Sequence, residues 1–510
     1  MKRLLKIAFS RMAFVALFMV LQILAIIAAL VYFRDNYNLF VIFFNIVSAV
    51  VVIYIINEEG NPAFKIAWII PILLLPIFGV PIYFMFGRGK TTERQRANIQ
   101  SIQRHYGEYL KDASSHLGEL EAMNADAGLE AAYLQRSAGA PLYRGTATEF
   151  YPLGDVMFPP MLEAVKQAKK FIFLEFFIVE PGELWDAMLS VLERKSAEGV
   201  DVRLIYDDMG CIMTLPARYN RRMEAAGIKC SVFRRFQPVL SGSFNNRDHR
   251  KIMVVDGRVA FTGGINLADE YINKRERFGH WLDCGVRIEG AAAESFTAMF
   301  LSMWHYIRRE RDDFNDFRAD PALPPVEDDG FVQPFSDTPM DDEAVGKTAY
   351  INMINRARRY VWLTTPYLVI DSEMMSALTT AAKCGVDVRI ITPGIPDKWY
   401  VFAVTRSYYA ALIRAGVRVY EYTPGFIHAK LAVSDGETAI CGTINLDYRS
   451  LYLHYEDAAW MCGSRAVGQI KDFYDETLAK CTEITEDYCR SRSALLRLVQ
   501  SLLRVFAPMM

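Results

Sequence analysis

The chain has 510 residues, which is enough for about two or three domains. Its 57 basic and 59 acidic side chains leave a net charge of −2, which excludes a general electrostatic attraction to nucleic acid. The hydrophobic fraction of 52% is high for a soluble protein and indicates a membrane-embedded part. The eight cysteines contain no Cys-x-x-Cys pair, a pattern that favours free thiols over a disulfide framework.

The N-terminal region, residues 1–88, is predicted to be a transmembrane helical region of a multi-pass cell membrane protein. Its apolar segments are residues 12–33, 39–56 and 67–86. The first two are uncharged and long enough to cross a bilayer. Three prolines, Pro71, Pro76 and Pro81, predict that the third segment is kinked or broken.

The orientation of this region follows from its flanking charges. The basic N-terminus belongs in the cytoplasm by the positive-inside rule. Three complete spans would place the basic residues that follow, such as Arg88 and Lys90, on the opposite side. A third segment that enters the membrane and returns satisfies both ends. We therefore favour a cytoplasmic catalytic part, although whether the third segment spans the membrane stays open.

The remainder of the chain divides by composition. Residues 89–140 are polar and rich in helix formers, which predicts a helical connector along the membrane surface. Residues 141–320 and 343–490 alternate apolar strands with amphipathic helices and predict two α/β domains with helices flanking the sheets. Residues 321–342, rich in Pro and Asp, form the predicted linker. The tail, residues 491–510, predicts a basic amphipathic helix that lies on a membrane surface or packs on the second domain.

The two α/β domains are a duplication. Four pairs of segments correspond: Gly199–Ile205 with Gly385–Ile391, His249–Gly257 with His428–Gly436, Gly263–Leu267 with Gly442–Leu446, and the acids Asp283 with Glu456. Two copies of one unit that face each other place both central motifs in a single cleft.

The central motif is His-x-Lys, then four residues and Asp-Gly. Its alternation puts His249 and Lys251 on one face of a strand, and His428 and Lys430 on one face of its counterpart. Two imidazoles and two ammonium groups suit attack on a phosphodiester. One imidazole attacks phosphorus and forms a phosphohistidine, and the other protonates the leaving alkoxide. The lysines stabilise the phosphate charge, while the symmetry leaves the nucleophile unassigned.

The motif aspartates and two nearby asparagines complete the candidate site. Asp256 and Asp435 belong to the motif, but an Asp directly before Gly is what a tight hairpin turn requires. We therefore interpret both as structural supports of the site. Asn266 and Asn445, after each hairpin, are predicted to donate hydrogen bonds to the phosphate oxygens.

The acid that recurs downstream in each half is predicted to orient an imidazole. We assign Asp283 to His249 and Glu456 to His428, the partner within the same half in each case. A carboxylate in this position fixes the tautomer and stabilises the imidazolium. The mechanism requires no metal and no other cofactor, and no Cys/His spacing suggests a metal site.

These motifs resemble those of the phospholipase D superfamily, and their flanks resemble its bacterial cardiolipin synthase branch. The flanks are Asn246–Lys251, Gly263–Asn266, Thr365–Tyr367 and Asn445–Ser450. Two positions depart from the pattern. Gly264 stands where a serine is frequent, and His454 stands where an asparagine is usual.

The resemblance implies a membrane-anchored phosphatidyltransferase that converts two phosphatidylglycerol molecules into cardiolipin and glycerol. It also suggests His249 as the nucleophile, and phosphatidylglycerol and other membrane lipids as partners, without nucleic acid. A hydrolytic phospholipase D, another phosphatidyltransferase and a non-catalytic membrane scaffold are the alternatives. The acceptor lipid and the oligomeric state stay open.

Overall fold

A computed structural model describes residues 20, 24, 27, 28, 31, 32, 37–87, 93–110, 116–235 and 245–509. The chain forms two compact units. The N-terminal unit comprises Met1–Thr91, Arg235–Asn245 and Val505–Met509. The catalytic unit comprises Thr92–Arg234 and Asn246–Arg504, together with Met510.

The N-terminal unit is helical. Its described elements are α1 (Tyr37–Asn57), α2 (Pro62–Leu74), α3 (Pro76–Ile82) and a π-helical turn (Tyr83–Gly87). Asn61 caps α2, because its side chain accepts a hydrogen bond from the backbone N–H of Ala63. The break between α2 and α3 falls directly before Pro76, which confirms the predicted interruption of the third apolar segment.

A small apolar core holds these helices together. It contains Val51, Ile55, Ile72, Val80 and Tyr83. α1 also exposes many apolar side chains, including Leu39, Ile42, Phe43, Ile46, Val50 and Ile53. Within the residues described here, no helix combines the length and apolarity that a membrane crossing requires. The predicted transmembrane spans are therefore not confirmed, and most of the first segment, 12–33, lies outside the described residues.

The catalytic unit begins with three helices, α4 (Glu93–Glu108), α5 (Leu117–Met123) and α6 (Ala125–Ala138). Its first half follows as β1 (Thr146–Tyr151), α7 (Gly154–Gln167), β2 (Phe171–Phe176), α8 (Glu183–Ala197), β3 (Asp201–Asp207), α9 (Tyr219–Ala225), β4 (Lys229–Phe233), β5 (Lys251–Val255), β6 (Val259–Gly263), β7 (His280–Leu282), β8 (Gly285–Gly290) and α10 (Ala293–Arg308). Single 3₁₀ turns cover Asp269–Ile272 and Phe314–Phe317.

The second half repeats this order. Its elements are β9 (Phe331–Asp337), α11 (Val345–Arg356), β10 (Tyr360–Thr364), α12 (Ser372–Lys383), β11 (Asp387–Pro393), α13 (Trp399–Arg414), β12 (Arg418–Tyr422), β13 (Gly425–Ile427), β14 (Leu431–Ser434), β15 (Thr438–Gly442), α14 (Tyr448–Tyr452), β16 (Glu456–Cys462) and α15 (Arg465–Leu478). The chain continues with β17 (Cys481–Ile484), α16 (Glu486–Arg490), α17 (Ala494–Val505) and a 3₁₀ turn, Ala507–Met509.

Two mixed sheets confirm the duplicated α/β architecture. The first has seven strands in the order β1-β8-β6-β5-β2-β3-β4, and the second has eight in the order β17-β12-β11-β10-β14-β15-β16-β9. Strand for strand the orders correspond, and only β17 is additional. In both sheets the parallel pairs follow βαβ connections, whereas the motif strands β5 and β14 pair antiparallel with both neighbours. One apolar core contains residues of both motif strands, including Ile252, Val254, Leu431 and Val433.

Two segments differ from the sequence prediction, and the C-terminal tail is helical as predicted. The predicted connector is helical, but Ile99, Ile102 and Tyr106 of α4 enter the core of the catalytic unit. One buried stripe requires only a few correctly spaced apolar residues, so a largely polar helix can still pack on the core. Most of the predicted linker's C-terminal part forms β9, which pairs with β16. The tail forms α17, where the Arg504 guanidinium lies 4.2 Å from the Tyr408 ring centroid. Leu495, Leu498 and Leu502 of α17 are exposed.

Candidate active site

Each central motif forms a hairpin. β5 and β14 run antiparallel to β6 and β15, and the predicted Asp-Gly turns join them. Asp256 (φ 52°) and Asp435 (φ 56°) lie in the left-handed region, as do the glycines that follow them. Positive φ at both central residues is characteristic of the two-residue hairpin turn that Asp-Gly favours.

The motif aspartates hold the turns. The Asp256 carboxylate accepts backbone N–H groups of residues 169–171 at 2.8–2.9 Å. The Asp435 carboxylate accepts those of residues 358–360 at 2.8 Å. Both aspartates therefore tie the hairpin to the start of the adjacent strand, at the end of β5 or β14 that is remote from the histidine. They support the fold, as predicted, and the structure does not bring them among the reacting groups.

Each motif histidine contacts an acid from the opposite half of the catalytic unit. His249 Nδ1 lies 2.9 Å from both carboxylate oxygens of Glu456, and His428 Nδ1 lies 2.6 Å from Asp283 Oδ2. All four side chains are buried. Our assignment of each acid to the histidine of its own half was therefore wrong. Both predicted acids do contact a motif histidine, but each histidine takes its acid from the opposite half.

Backbone pairing between the halves explains the exchange. The His249 N–H donates to the Tyr455 carbonyl at 2.9 Å, directly beside Glu456. The His428 N–H donates to the Leu282 carbonyl at 2.7 Å, directly beside Asp283. The short parallel pair of β7 and β13 extends this second contact. Each acid is thus adjacent in sequence to the residue whose carbonyl accepts the backbone N–H of the motif histidine from the other half.

Burial sets the charge state of both dyads. It lowers the pKa of His249 to about 3 and that of His428 to about 4, against the opposing effect of the carboxylates. Burial alone would raise the pKa values of Glu456 and Asp283, but their histidine partners override it and lower both. At neutral pH each imidazole is consequently neutral and donates Nδ1–H to an ionised carboxylate, which leaves Nε2 free as nucleophile or base.

The motif lysines are fully buried beside the histidines. The Lys251 ammonium donates to the His249 carbonyl at 2.6 Å, and the Lys430 ammonium donates to the His428 carbonyl. Burial lowers the pKa of Lys251 to about 8 and that of Lys430 to about 7. Since an ammonium has three N–H groups, each lysine keeps further donors for the predicted phosphate contact.

The lysines give a prediction for the pH dependence of kcat/KM, which reports the free enzyme. The lysines are charged below their pKa values, so we expect kcat/KM to fall as pH rises through about 7 to 8, the pKa values of Lys430 and Lys251. On the acid side kcat/KM should be lost as pH falls through about 3, where the nucleophile His249 becomes charged. In Lys430→Arg the guanidinium remains protonated, so the alkaline decline should move upward even if the maximum rate drops. An unchanged alkaline decline in this variant would contradict the assignment.

The two asparagines differ in their contacts. Asn266 Oδ1 accepts the Ile178 N–H at 3.0 Å, and its amide donates to the Tyr271 hydroxyl at 2.7 Å. Asn445 Oδ1 is buried and has no hydrogen-bond partner among the described residues. The Asn266 side chain therefore stabilises the first half through both of its polar atoms. Since the unpartnered Asn445 Oδ1 is an acceptor, the phosphate contact predicted for Asn445 would have to come from its Nδ2 amide hydrogens.

Gly264, the first departure from the family pattern, makes room for an acid. A Cβ added at Gly264 would lie 2.0 Å from Asp283 Oδ1. Its counterpart Thr443 instead donates its hydroxyl to Glu456 at 2.5 Å. The first half thus positions its shorter acid by the absence of a side chain, and the second half positions its longer acid by a hydrogen bond.

We expect Gly264→Ala to lower kcat by about 10²-fold or more, since a displacement of Asp283 by about 1 Å misplaces His428. Gly468→Ala is the matched control, because an added Cβ there meets no atom within 4 Å. Turnover is measured together with the thermal midpoint, which separates a site defect from unfolding. Normal turnover in Gly264→Ala would show that Asp283 does not depend on this glycine.

Several contributors to the site carry no sequence signal of their own. Asp457 accepts the Lys251 N–H at 3.2 Å and the Thr262 hydroxyl at 2.5 Å. Aromatic rings surround the histidines: Phe177 lies 5.0 Å from His249 between centroids, and Tyr271, Trp281 and Phe426 lie 5.4–5.8 Å from His428. Only the position of Asp457 directly after a predicted site acid could have indicated it.

His454, the second departure, lies beside the first dyad. Its ring centroid is 5.5 Å from that of His249, and its Nδ1 is 3.6 Å from Glu456 Oε1. Neither ring nitrogen has a hydrogen-bond partner among the described residues. His249, His454 and Glu456 offer ligand atoms within 4.8 Å of one another, so this is a group that could hold a metal ion.

The fold and these dyads define a phospholipase D-like phosphotransferase. The family model "Cardiolipin synthase, PLD-like domain" matches residues 161–304 and 350–478, which together exceed half of the chain. A second model, "Phospholipase_D-nuclease N-terminal", matches residues 43–88. The chain belongs to the cardiolipin synthase family of the phospholipase D superfamily.

Individual relatives agree with this membership. The chain is 33% identical over 467 residues to a cardiolipin synthase of Geobacillus thermodenitrificans, covering 91% of this chain and 92% of that protein. It is 31% identical over 460 residues to a cardiolipin synthase of Halalkalibacterium halodurans, covering 90% and 91%. An uncharacterized protein of Streptococcus mutans is 41% identical over 464 residues, covering 90% and 99%. The crystal structure of phosphatidylserine synthase from Haemophilus influenzae has the same fold, with a TM-score of 0.55, 16% identity and coverage of 74% and 97%.

Proposed function

We propose that this protein is a cardiolipin synthase that transfers a phosphatidyl group from one phosphatidylglycerol molecule to another, releasing glycerol. The observation that carries the proposal is the pair of buried dyads, in which each neutral imidazole donates to an ionised carboxylate from the opposite half. Two such dyads are what a double displacement at phosphorus needs, because one forms the covalent bond and the other handles the proton.

In the first step His249 Nε2 attacks phosphorus. An N–P bond forms, the P–O bond to the glycerol headgroup breaks, and His428 in its protonated form gives its proton to the departing oxygen. The negative charge of the bound phosphodiester, next to Asp283, favours this protonation of His428. The family resemblance suggests His249 rather than His428 as the nucleophile.

In the second step the roles reverse. His428 removes the proton from a hydroxyl of a second phosphatidylglycerol, that oxygen attacks phosphorus, and the N–P bond to His249 breaks. Lys251, Lys430 and Asn445 donate hydrogen bonds to the phosphate oxygens, on which charge builds in both transition states. The products are cardiolipin and an enzyme in which His249 is free and His428 is protonated again.

The lipid product tests the proposal. Purified full-length protein is incubated with phosphatidylglycerol and the lipids are then extracted and separated. We expect cardiolipin and free glycerol in equal amounts. Phosphatidic acid as the main product would support a hydrolytic phospholipase D, in which water takes the place of the second lipid. No conversion would support a non-catalytic scaffold.

We also propose that the N-terminal unit attaches the protein to the cell membrane as a multi-pass anchor, with the catalytic unit in the cytoplasm. The apolar side chains that α1 exposes, such as Ile46, Val50 and Ile53, support this attachment. Resistance to alkaline carbonate extraction tests it, and release into the supernatant would contradict it.

A further inference from the structure

Two loops of the catalytic unit expose large apolar side chains at equivalent places in the duplicated halves. The first loop, residues 208–218, follows β3, and the second, residues 394–400, follows β11 and includes the start of α13. In the first loop the exposed fraction is 78% for Met213. In the second it is 69% for Trp399, and Ile395 is also exposed. The two loop sequences differ, but each loop follows the equivalent strand of its half and exposes large apolar side chains.

The first loop adjoins His249. The Cys211 thiol accepts the Val179 N–H at 3.2 Å, and the Thr214 hydroxyl donates to the Val179 carbonyl at 2.7 Å. This fixes the loop against the end of β2, where the Phe177 ring lies 5.0 Å from the His249 ring. Met213 therefore projects from a loop that binds the backbone next to Phe177, and Phe177 in turn lies beside the His249 ring.

The second loop adjoins His428 in the same manner. The Ile395 N–H donates to the Gly425 carbonyl at 3.2 Å, and the Tyr367 hydroxyl donates to Asp397 at 2.5 Å. Phe426, the residue after Gly425, stacks on the His428 ring at 5.8 Å. Trp399 and its neighbours thus lie beside the other half of the same site.

The chemistry of these side chains favours a lipid surface over water. Tryptophan and tyrosine are the residues that concentrate at the membrane–water boundary, since an aromatic body prefers the acyl region and a polar edge prefers the headgroups. Tyr400, which is also exposed, follows Trp399. Lys398 precedes Trp399, and its ammonium pairs with Asp397 at 3.3 Å. A lipid's phosphate must reach buried imidazoles while its acyl chains stay in the bilayer, which requires an apolar surface around the entrance.

We propose that the two loops form a lipid-contacting rim, residues 208–218 and 394–400, that enters the headgroup region of a phospholipid bilayer around the entrance to the site. Trp399 and Met213 are its deepest side chains. The proposal rests on the proposed function for the identity of the substrate as a membrane phospholipid, and the rim would be the place where that substrate leaves the bilayer for the site.

Fluorescence quenching by bromine-labelled lipids tests the rim directly. The full-length protein is reconstituted in nanodiscs whose phosphatidylglycerol carries bromine on the upper acyl chain. Of the seven tryptophans, five are buried in the catalytic unit and Trp68 belongs to the N-terminal unit, so Trp399 is isolated by comparison with Trp399→Phe. We expect the quenched fraction to fall clearly in Trp399→Phe. Equal quenching in both proteins would overturn the proposal.

Kinetics on two forms of substrate supply the second measurement. We expect the double variant Met213→Ser, Trp399→Ser to lose about tenfold in kcat/KM on bilayers, since an aromatic side chain of this size contributes strongly when its surface is buried. On monomeric short-chain phosphatidylglycerol the loss should stay within about twofold, because the rim then has no bilayer to enter. Equal losses on both substrates would overturn the rim and indicate a defect in the site itself.

Leu323→Ser is the matched control, since Leu323 is exposed and apolar. The adjacent Pro324 carbonyl accepts from Arg258 at the β5–β6 turn, which is the end of β5 remote from His249. Because quenching does not depend on turnover, the measurement tests the lipid-contacting rim independently of the proposed function. Strong Trp399 quenching without cardiolipin formation would leave the rim standing and refute the function. Cardiolipin formation without Trp399 quenching would refute the rim and leave the function standing. The exposed apolar surface would then be a candidate binding site for a protein partner.

Discussion

Replacing His249 or His428 by alanine is expected to abolish cardiolipin formation. One imidazole supplies the bond to phosphorus and the other supplies the proton, so neither half of the site can complete a cycle alone. Loss of a group that acts as part of such a unit lowers kcat by about four orders of magnitude or more. His116→Ala is the control, because His116 is partly exposed and pairs only with Glu119 among the described residues.

The two alanine variants should differ in the covalent step. A phosphatidyl ester of a nitrophenol has a leaving group that departs without a proton, so the general acid becomes dispensable. With this substrate His428→Ala should accumulate a phosphatidyl-enzyme that intact-mass spectrometry detects, and His249→Ala should accumulate none. The opposite pattern would make His428 the nucleophile, and a covalent adduct in neither variant would refute the double displacement.

The duplicated fold could be predicted from the sequence because the same local residue patterns occur in both halves. Gly199–Ile205 and Gly385–Ile391 lead into β3 and β11, which occupy the same place in their sheets. The Asp-Gly pairs predicted the two hairpin turns, and local turn chemistry also predicted that Asp256 and Asp435 would serve the fold. In each case the evidence lies within a few residues of the feature.

The exchange of acids could not be predicted in this way. Glu456 is nearer to His428 than to His249 along the chain, but β16 enters the site where Tyr455 binds the backbone of the first motif. A symmetric pair of halves is compatible with either arrangement, and sequence distance favours the wrong one. What decides is which strand end meets which motif, a long-range contact that no local pattern records.

The connector is helical as predicted, but its buried stripe and the strand in the predicted linker were missed for a related reason. Composition measures the average character of a segment, whereas burial requires only a few correctly spaced residues. Ile99, Ile102 and Tyr106 give α4 one buried stripe within an otherwise polar helix. In the predicted linker Phe331–Asp337 completes the second sheet, although Pro334 lies within it, because β9 is an edge strand.

The exchanged acids yield the second large effect. Glu456→Gln and Asp283→Asn should each lower kcat by about 10³–10⁴-fold, because an amide in place of the carboxylate neither fixes the required tautomer nor stabilises the imidazolium. Both side chains are fully buried, so their replacement by isosteric amides removes the charge with little change in packing. Glu483→Gln is the control, since Glu483 is a half-exposed acid that pairs with Arg418.

The same nitrophenol ester shows which histidine each acid serves. If Asp283 serves His428, Asp283→Asn should behave like the His428 variant and still accumulate the phosphatidyl-enzyme. If Glu456 serves His249, Glu456→Gln should form the adduct far more slowly, because its nucleophile has lost its orientation. Rapid adduct formation in Glu456→Gln together with slow formation in Asp283→Asn would mean that each acid acts within its own half. Because the dyads combine groups from both halves, neither half alone can hold a complete histidine–acid pair, and the duplicated fold works as one catalytic unit.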